Sequence, residues 1–128
     1  DHPKNGMMVH ANHFVSPVAL AKQRDTGIAS TPDSLYRDIR VRDLLRPQLG
    51  RITRETVKTA LGDDFASPWS VCRPPRKNLS SNANNLSATV AAVVMEPALG
   101  IMEVAMLPAL NRQFTTFRLD MPARRQAA

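Results

Sequence analysis

Two histidines flank an asparagine in Met7-Met8-Val9-His10-Ala11-Asn12-His13-Phe14, and the only cysteine, Cys72, lies far downstream. These residue types can do three kinds of chemistry. Histidines ligate metals, a cysteine with histidine and asparagine can form an activated nucleophile, and an asparagine amide can donate to a developing oxyanion.

Spacing separates the three. Helical zinc sites place histidines four apart with a glutamate between them, whereas His10 and His13 are three apart in a segment that reads as extended. On a strand His10 and Asn12 share a face and His13 points the other way, so no metal is expected. One thiol cannot build a disulfide or a thiolate zinc site. Cys72 lies in Trp69-Ser70-Val71-Cys72, a strand-like apolar context with no helix N-terminus to stabilise a thiolate, and is expected to be buried and inert. That leaves Asn12. Held at a strand end, its amide could stabilise an oxyanion by roughly 3 to 4 kcal/mol; the alternative is an asparagine that satisfies loop backbone groups.

The elements that must position these residues are legible in part. Asn5-Gly6 is a turn signal leading into a short strand. Ser16 to Ser30 lacks periodicity and reads as a loop. Thr31 can cap a helix running from Pro32 to about Arg46, with Pro32 at its first position and Asp33 complementing its dipole. Leu35, Ile39 and Leu45 form its apolar stripe, while Arg37, Arg40, Arg42 and Arg46 form a basic face. Asp33 with Arg37 and Asp38 with Arg42, at helical i,i+4 spacing, suggest a solvated, salt-bridged surface. A shorter helix is expected from Thr53 to Leu61, stopped by Gly62. Asp63 to Pro68 reads as a turn, and the polar stretch from Arg73 to Asn85 as a mobile loop. From Leu86 to Arg118 three apolar or β-branched runs predict a meander; the first, apolar on both faces, reads as a central strand. Residues 121–128 read as a flexible tail.

The 128 residues suit one small domain, which buries roughly two-thirds of its extended-chain surface. A net charge of +6 admits a polyanionic partner, and a basic module contacting nucleic acid through residues 32–46 is the alternative function. No recognised nucleic-acid motif and no glycine-rich phosphate cradle supports it, and one tyrosine and one tryptophan offer little stacking surface. No apolar run approaches the ~20 residues that span a bilayer. Lone-cysteine usage fits a reducing, cytoplasmic setting.

Four stretches, in order, resemble the isopenicillin N acyltransferase family of autoproteolytic N-terminal nucleophile hydrolases. Asn5 to Phe14 is similar to the family strand ending in His-Thr-Asn-His. Pro32 to Leu45 is similar to its Asp-Ser-x-x-Arg-x-x-Arg helix, and Ser67 to Arg73 to its Pro-x-Ser-Ile-Cys-Arg segment. Ser87 to Leu107 with Phe114 to Asp120 resembles the closing strands. The match runs nearly from Asn5 to Asp120 and covers only the C-terminal part of such a protein. It implies an α+β chain that forms part of a four-layer αββα fold completed by companion chains, and an enzyme acting on amide or N-acyl bonds without a cofactor. By this resemblance Asn12 is the catalytic, oxyanion-hole residue, and His10, His13 and Phe14 line the substrate pocket. The nucleophile, an N-terminal cysteine, is expected on a companion chain of the same precursor, with Asp1 marking a second cleavage. Cys72 matches a non-nucleophilic family cysteine, and Leu86 stands where fungal members carry an arginine.

Overall fold

A computed structural model describes residues 3–77 and 86–120. Asn5 and Gly6 both take left-handed backbone angles (φ 53° and 75°), and the turn lets Lys4 and Met7 exchange backbone hydrogen bonds of 3.0 and 3.1 Å. Such a turn needs positive φ at both central positions. The strand expected after it does not form. Its backbone donors go instead to side chains: Asn12 N–H to Ser34 Oγ at 2.8 Å and Phe14 N–H to Asp25 Oδ2 at 2.8 Å.

The stretch expected to be a loop contains a helix, α1 (Pro17–Lys22), which opens on proline and carries Lys22 in its last turn. It buries no residue, so no apolar periodicity announced it. Helix α2 spans Asp33–Leu45 and runs on into a 3-10 turn over Arg46–Gln48. Thr31 does not cap it through its side chain. Its Oγ1 donates to the Gly27 carbonyl at 2.9 Å, and the first helical N–H groups close on the Thr31 and Pro32 carbonyls. The orientation of α2 also reverses expectation. Leu35 and Ile39 are exposed (42% and 54%), whereas Asp33, Ser34 and Asp38 are buried; of the anticipated apolar stripe only Leu45 is inside.

Helix α3 (Arg54–Leu61) follows its prediction. Thr53 and Thr56 cap each other reciprocally through side chain and backbone, and Gly62 follows the last residue. Ala60, 1% exposed, marks the face that packs toward the sheet, and α3 lies against both α2 and β3.

Strands β1 (Arg76–Lys77) and β2 (Leu86–Ser87) form a short ladder. Strands β3 (Ala91–Glu96), β4 (Ile101–Met106) and β5 (Thr115–Arg118) form the meander, all antiparallel. Among the described residues β3 is an edge strand and β4 the central one, so the first run is not central there. Gly100, left-handed at φ 62°, closes the β3–β4 connection. The side-chain alternation sorts the faces. Ala92, Val94, Ile101, Glu103 and Ala105 point inward and are buried; Val93, Met95, Met102, Met106 and Phe117 lie on the other face and are exposed. Trp69 to Cys72 makes bends rather than a strand, because Cys72 N–H closes back on the Asp63 carbonyl at 2.8 Å and Ser70 Oγ donates to the Cys72 carbonyl at 2.7 Å. Of the stretch read as a mobile loop, residues 78–85 lie outside the described residues, as do Asp1 and the tail 121–128. Among the described residues no helix is long and apolar enough to cross a membrane.

Candidate oxyanion site around Asn12

The chain after Phe14 turns back through α1, and Asp25 then holds both ends of the resulting loop. Its carboxylate accepts the Phe14 N–H and the Gly27 N–H at 2.8 and 3.0 Å. Those backbone donors, chiefly Phe14, hold the Asp25 carboxyl below its ordinary range. The loop and the 10–14 segment together enclose an open cleft of about 440 Å³, lined by His10, Asn12, His13 and Phe14 on one side and by residues 23–27 on the other. All the residues expected to form the site therefore face one cavity. His10 and His13 do not point apart as a strand would require; their rings lie stacked, with centroids 6.3 Å apart.

Buried beneath the cleft, Ser34 accepts Asn12 N–H and hydrogen-bonds His13 Nδ1 at 2.9 Å. A hydroxyl has one proton and two lone pairs, so Ser34 can accept the Asn12 N–H and still pair with Nδ1 in either role. Ser34 is completely buried and His13 is 7% exposed, so this pair fixes the backbone and one wall of the cleft.

The Asn12 side chain is held by a second line of contacts. Arg37 Nη2 donates to Asn12 Oδ1 at 2.9 Å, and Arg37 Nε donates to Asp33 Oδ2 at 3.0 Å. Arg73 Nη1 donates to the same Asp33 oxygen at 3.1 Å. A guanidinium has no acceptor and must face the amide oxygen, so the Asn12 amide is oriented with its Nδ2–H2 group turned away from Arg37. Asn12 Nδ2 makes no hydrogen bond among the described residues. The result is an Asn12 amide oriented through its oxygen, on a residue that lines the cleft.

Three residues of this line went unassigned in the sequence reading: Asp33, Arg37 and Arg73. All lie in the stretches that carry the family resemblance, and that was the available signal. Asp25 lies in a stretch with no periodicity and no motif. The expected solvated charge face is corrected too. Asp33 and Asp38 are each 5% exposed at the side chain and engage Arg37 and Arg42 from the inside of α2. Arg40 forms a two-pronged pair with Asp63 (2.6 and 3.0 Å), and Arg46 meets Asp43 at 3.2 Å. Each arginine of the basic face thus has a carboxylate partner, leaving less unpaired positive charge for phosphates.

Cys72 is 1% exposed and does not line the cleft; burial pushes its thiol above the ordinary value. A buried, protonated thiol is a poor nucleophile. Among the described residues no group of three or more histidine, cysteine or carboxylate side chains is placed to hold a metal ion. No family model, curated protein or solved structure matches the chain.

Proposed function

We propose that this chain is one processed part of a cysteine-type N-terminal nucleophile amidase or acyltransferase, supplying the oxyanion donor to a nucleophile carried by a companion chain. The observation that carries the reading is the Asn12 amide, held through its oxygen by Arg37 and with no partner for its N–H2 group among the described residues, on a residue that lines a cleft with His10, His13 and Phe14. Convergence adds support. Asn12, Arg37 with Asp33, and Arg73 come from three separate stretches of the family resemblance and meet through hydrogen bonds of 2.9 to 3.1 Å.

In the proposed reaction the companion's N-terminal thiol gives its proton to the adjacent α-amine, and its sulfur attacks the substrate carbonyl carbon. A carbon–sulfur bond forms and the carbonyl oxygen becomes an oxyanion, to which Asn12 Nδ2–H donates. Collapse of the intermediate breaks the carbon–nitrogen bond, and the leaving amine takes the proton held by the α-amine. Water or another amine then attacks the thioester, releasing the acyl group and restoring the thiol. His10, His13 and Phe14 bound the space where the acyl or amine portion lies.

Mixing the assembled protein with a panel of N-acyl substrates and quenching early tests the reading. An acyl-sized mass increase is expected on a companion peptide that begins with cysteine. An acyl group on Cys72, or no acyl group with any substrate turned over, contradicts it.

A further inference from the structure

A groove of about 610 Å³ shares no lining residue with the Asn12 cleft. That volume is within the roughly 300 to 1,000 Å³ of small-molecule sites. Its lining is of two kinds. Met7, Met8, Val9, Val15, Pro17 and Leu49 are apolar, while Lys4, Arg42 and Arg46 bring three cations against one carboxylate, Asp38; Asn5 completes it.

Arg42 is the cation whose donors are least used. Among the described residues only its Nη2 makes hydrogen bonds, to the Val9 carbonyl and to Asp38 Oδ2, both at 3.5 Å. These sit at the long edge of the hydrogen-bond range. The other ion pairs that α2 makes along its own length are shorter, 3.0 Å for Arg37 with Asp33 and 3.2 Å for Arg46 with Asp43. Arg42 Nε and Nη1 make no hydrogen bond among the described residues, and the side chain is 38% exposed, so a ligand can reach it. Charge sets the kind of ligand. Asp38 offsets one of the three lining cations and Asp43 offsets another, which leaves about one positive charge for an incoming group.

We propose that this groove binds an amphiphilic carboxylate of the fatty-acid class, its head accepting hydrogen bonds from Arg42 and its hydrocarbon tail lying against Met7, Val9, Val15 and Leu49. An uncharged apolar ligand would leave the guanidinium donors unused, and a small anion would leave the apolar lining wet. A multiply charged head would exceed the positive charge available. A singly charged head on a long apolar tail meets all three conditions, because hydrogen bonds between ionised partners are the strong ones and tail affinity grows with each methylene buried. The site stands apart from the functional reading above: it uses no residue of the Asn12 cleft and requires no companion chain.

NMR of methionine methyl groups tests this on the purified full chain, in the assembly it forms, with decanoate as the probe. Met7 and Met8 line the groove, whereas Met95, Met102 and Met106 lie on the outward face of the sheet. Saturable shifts are expected at Met7 and Met8, with a Kd below about 1 mM, and none at the three sheet methionines. Hexanoate is expected to bind at least about tenfold more weakly. Decyltrimethylammonium, which carries a similar tail and the opposite charge, is expected not to displace decanoate. Arg42→Gln is expected to weaken decanoate binding about tenfold, and Lys4→Gln with Arg46→Gln about threefold. Lys4 and Arg46 are exposed, so the double variant gives the reading even where Arg42→Gln does not fold. Decanoate that moves only the sheet methionines or none at all overturns the proposal. So does displacement by the cationic amphiphile, or an affinity that every folded variant retains.

Discussion

Helices α2 and α3 pack on each other but are finished to different degrees. α3 places Ala60 inward and anchors its basic residues on the sheet: Lys58 Nζ and Arg54 Nη1 reach the two oxygens of Glu103 at 2.8 and 2.9 Å. α2 does the opposite, turning Asp33, Ser34 and Asp38 inward and leaving Leu35 and Ile39 in solvent. Among the described residues two buried carboxylate oxygens of α2 have no partner, Asp33 Oδ1 and Asp38 Oδ1. A helix with charged groups inside and leucine outside inverts the usual apolar-inward pattern.

The sheet repeats the contrast. Val94 is 4% exposed and Val93, its neighbour, 43%, yet the two are chemically identical. One face is packed by α3, while the other presents valine, methionine and phenylalanine to solvent, a composition that sheet faces usually bury.

The largest expected effect falls on the site beside α2. Asn12→Ala is expected to lower amide turnover by the assembled protein by about two to three orders of magnitude, leaving assembly intact, as steady-state kinetics would show. Arg37→Ala is expected to cost about tenfold in kcat with KM little changed, since it releases the amide orientation without removing the donor. Unchanged turnover in Asn12→Ala removes Asn12 from the site.

Next in size is the test of the two sheet faces. Val94→Ala is expected to destabilise the chain by about 2 kcal/mol in denaturant titration, combining lost burial with a residual cavity. Val93→Ala is expected to cost less than about 0.5 kcal/mol in the chain alone. A larger cost for Val93→Ala in the assembled protein sharpens the contrast; equal costs in both settings break it.

Acid should act on the finished half and the site loop together. Glu103 is held below its ordinary value of 4.5 first by the Lys58 hydrogen bond, and Asp25 below 3.8 first by the Phe14 N–H. A carboxyl whose folded value is depressed binds protons more weakly when folded, so its stabilisation is present above the ordinary value and is lost as pH falls through the folded one. Melting temperature is therefore expected to hold near neutrality and to drop below about pH 4.5, less steeply in Glu103→Gln. The smallest effect is at Cys72: Cys72→Ala should retain turnover, and the native thiol should resist alkylation until the protein is unfolded.

The sequence announced what rests on local signals. The Thr53 cap and Gly62 bracket α3, the apolar runs mark β3 and β4, and Asn5-Gly6 marks the first turn. The motif stretches also pointed to residues that meet around Asn12. What stayed hidden depends on partners distant along the chain. Periodicity put Leu35 and Ile39 inside, but Arg73 and His13 draw Asp33 and Ser34 inward from far away. α1 buries nothing and so carries no pattern. β3 looked central because both of its faces are apolar, yet an apolar sequence reports only that cover is needed, not which polypeptide provides it.

The claim that this chain completes its site with another polypeptide is tested most directly by native mass spectrometry of the purified protein with N-terminal sequencing of each component. A hetero-oligomer is expected in which this 14.1 kDa chain is held by a companion beginning with cysteine. A lone 14.1 kDa species that turns over amide substrates by itself would contradict it.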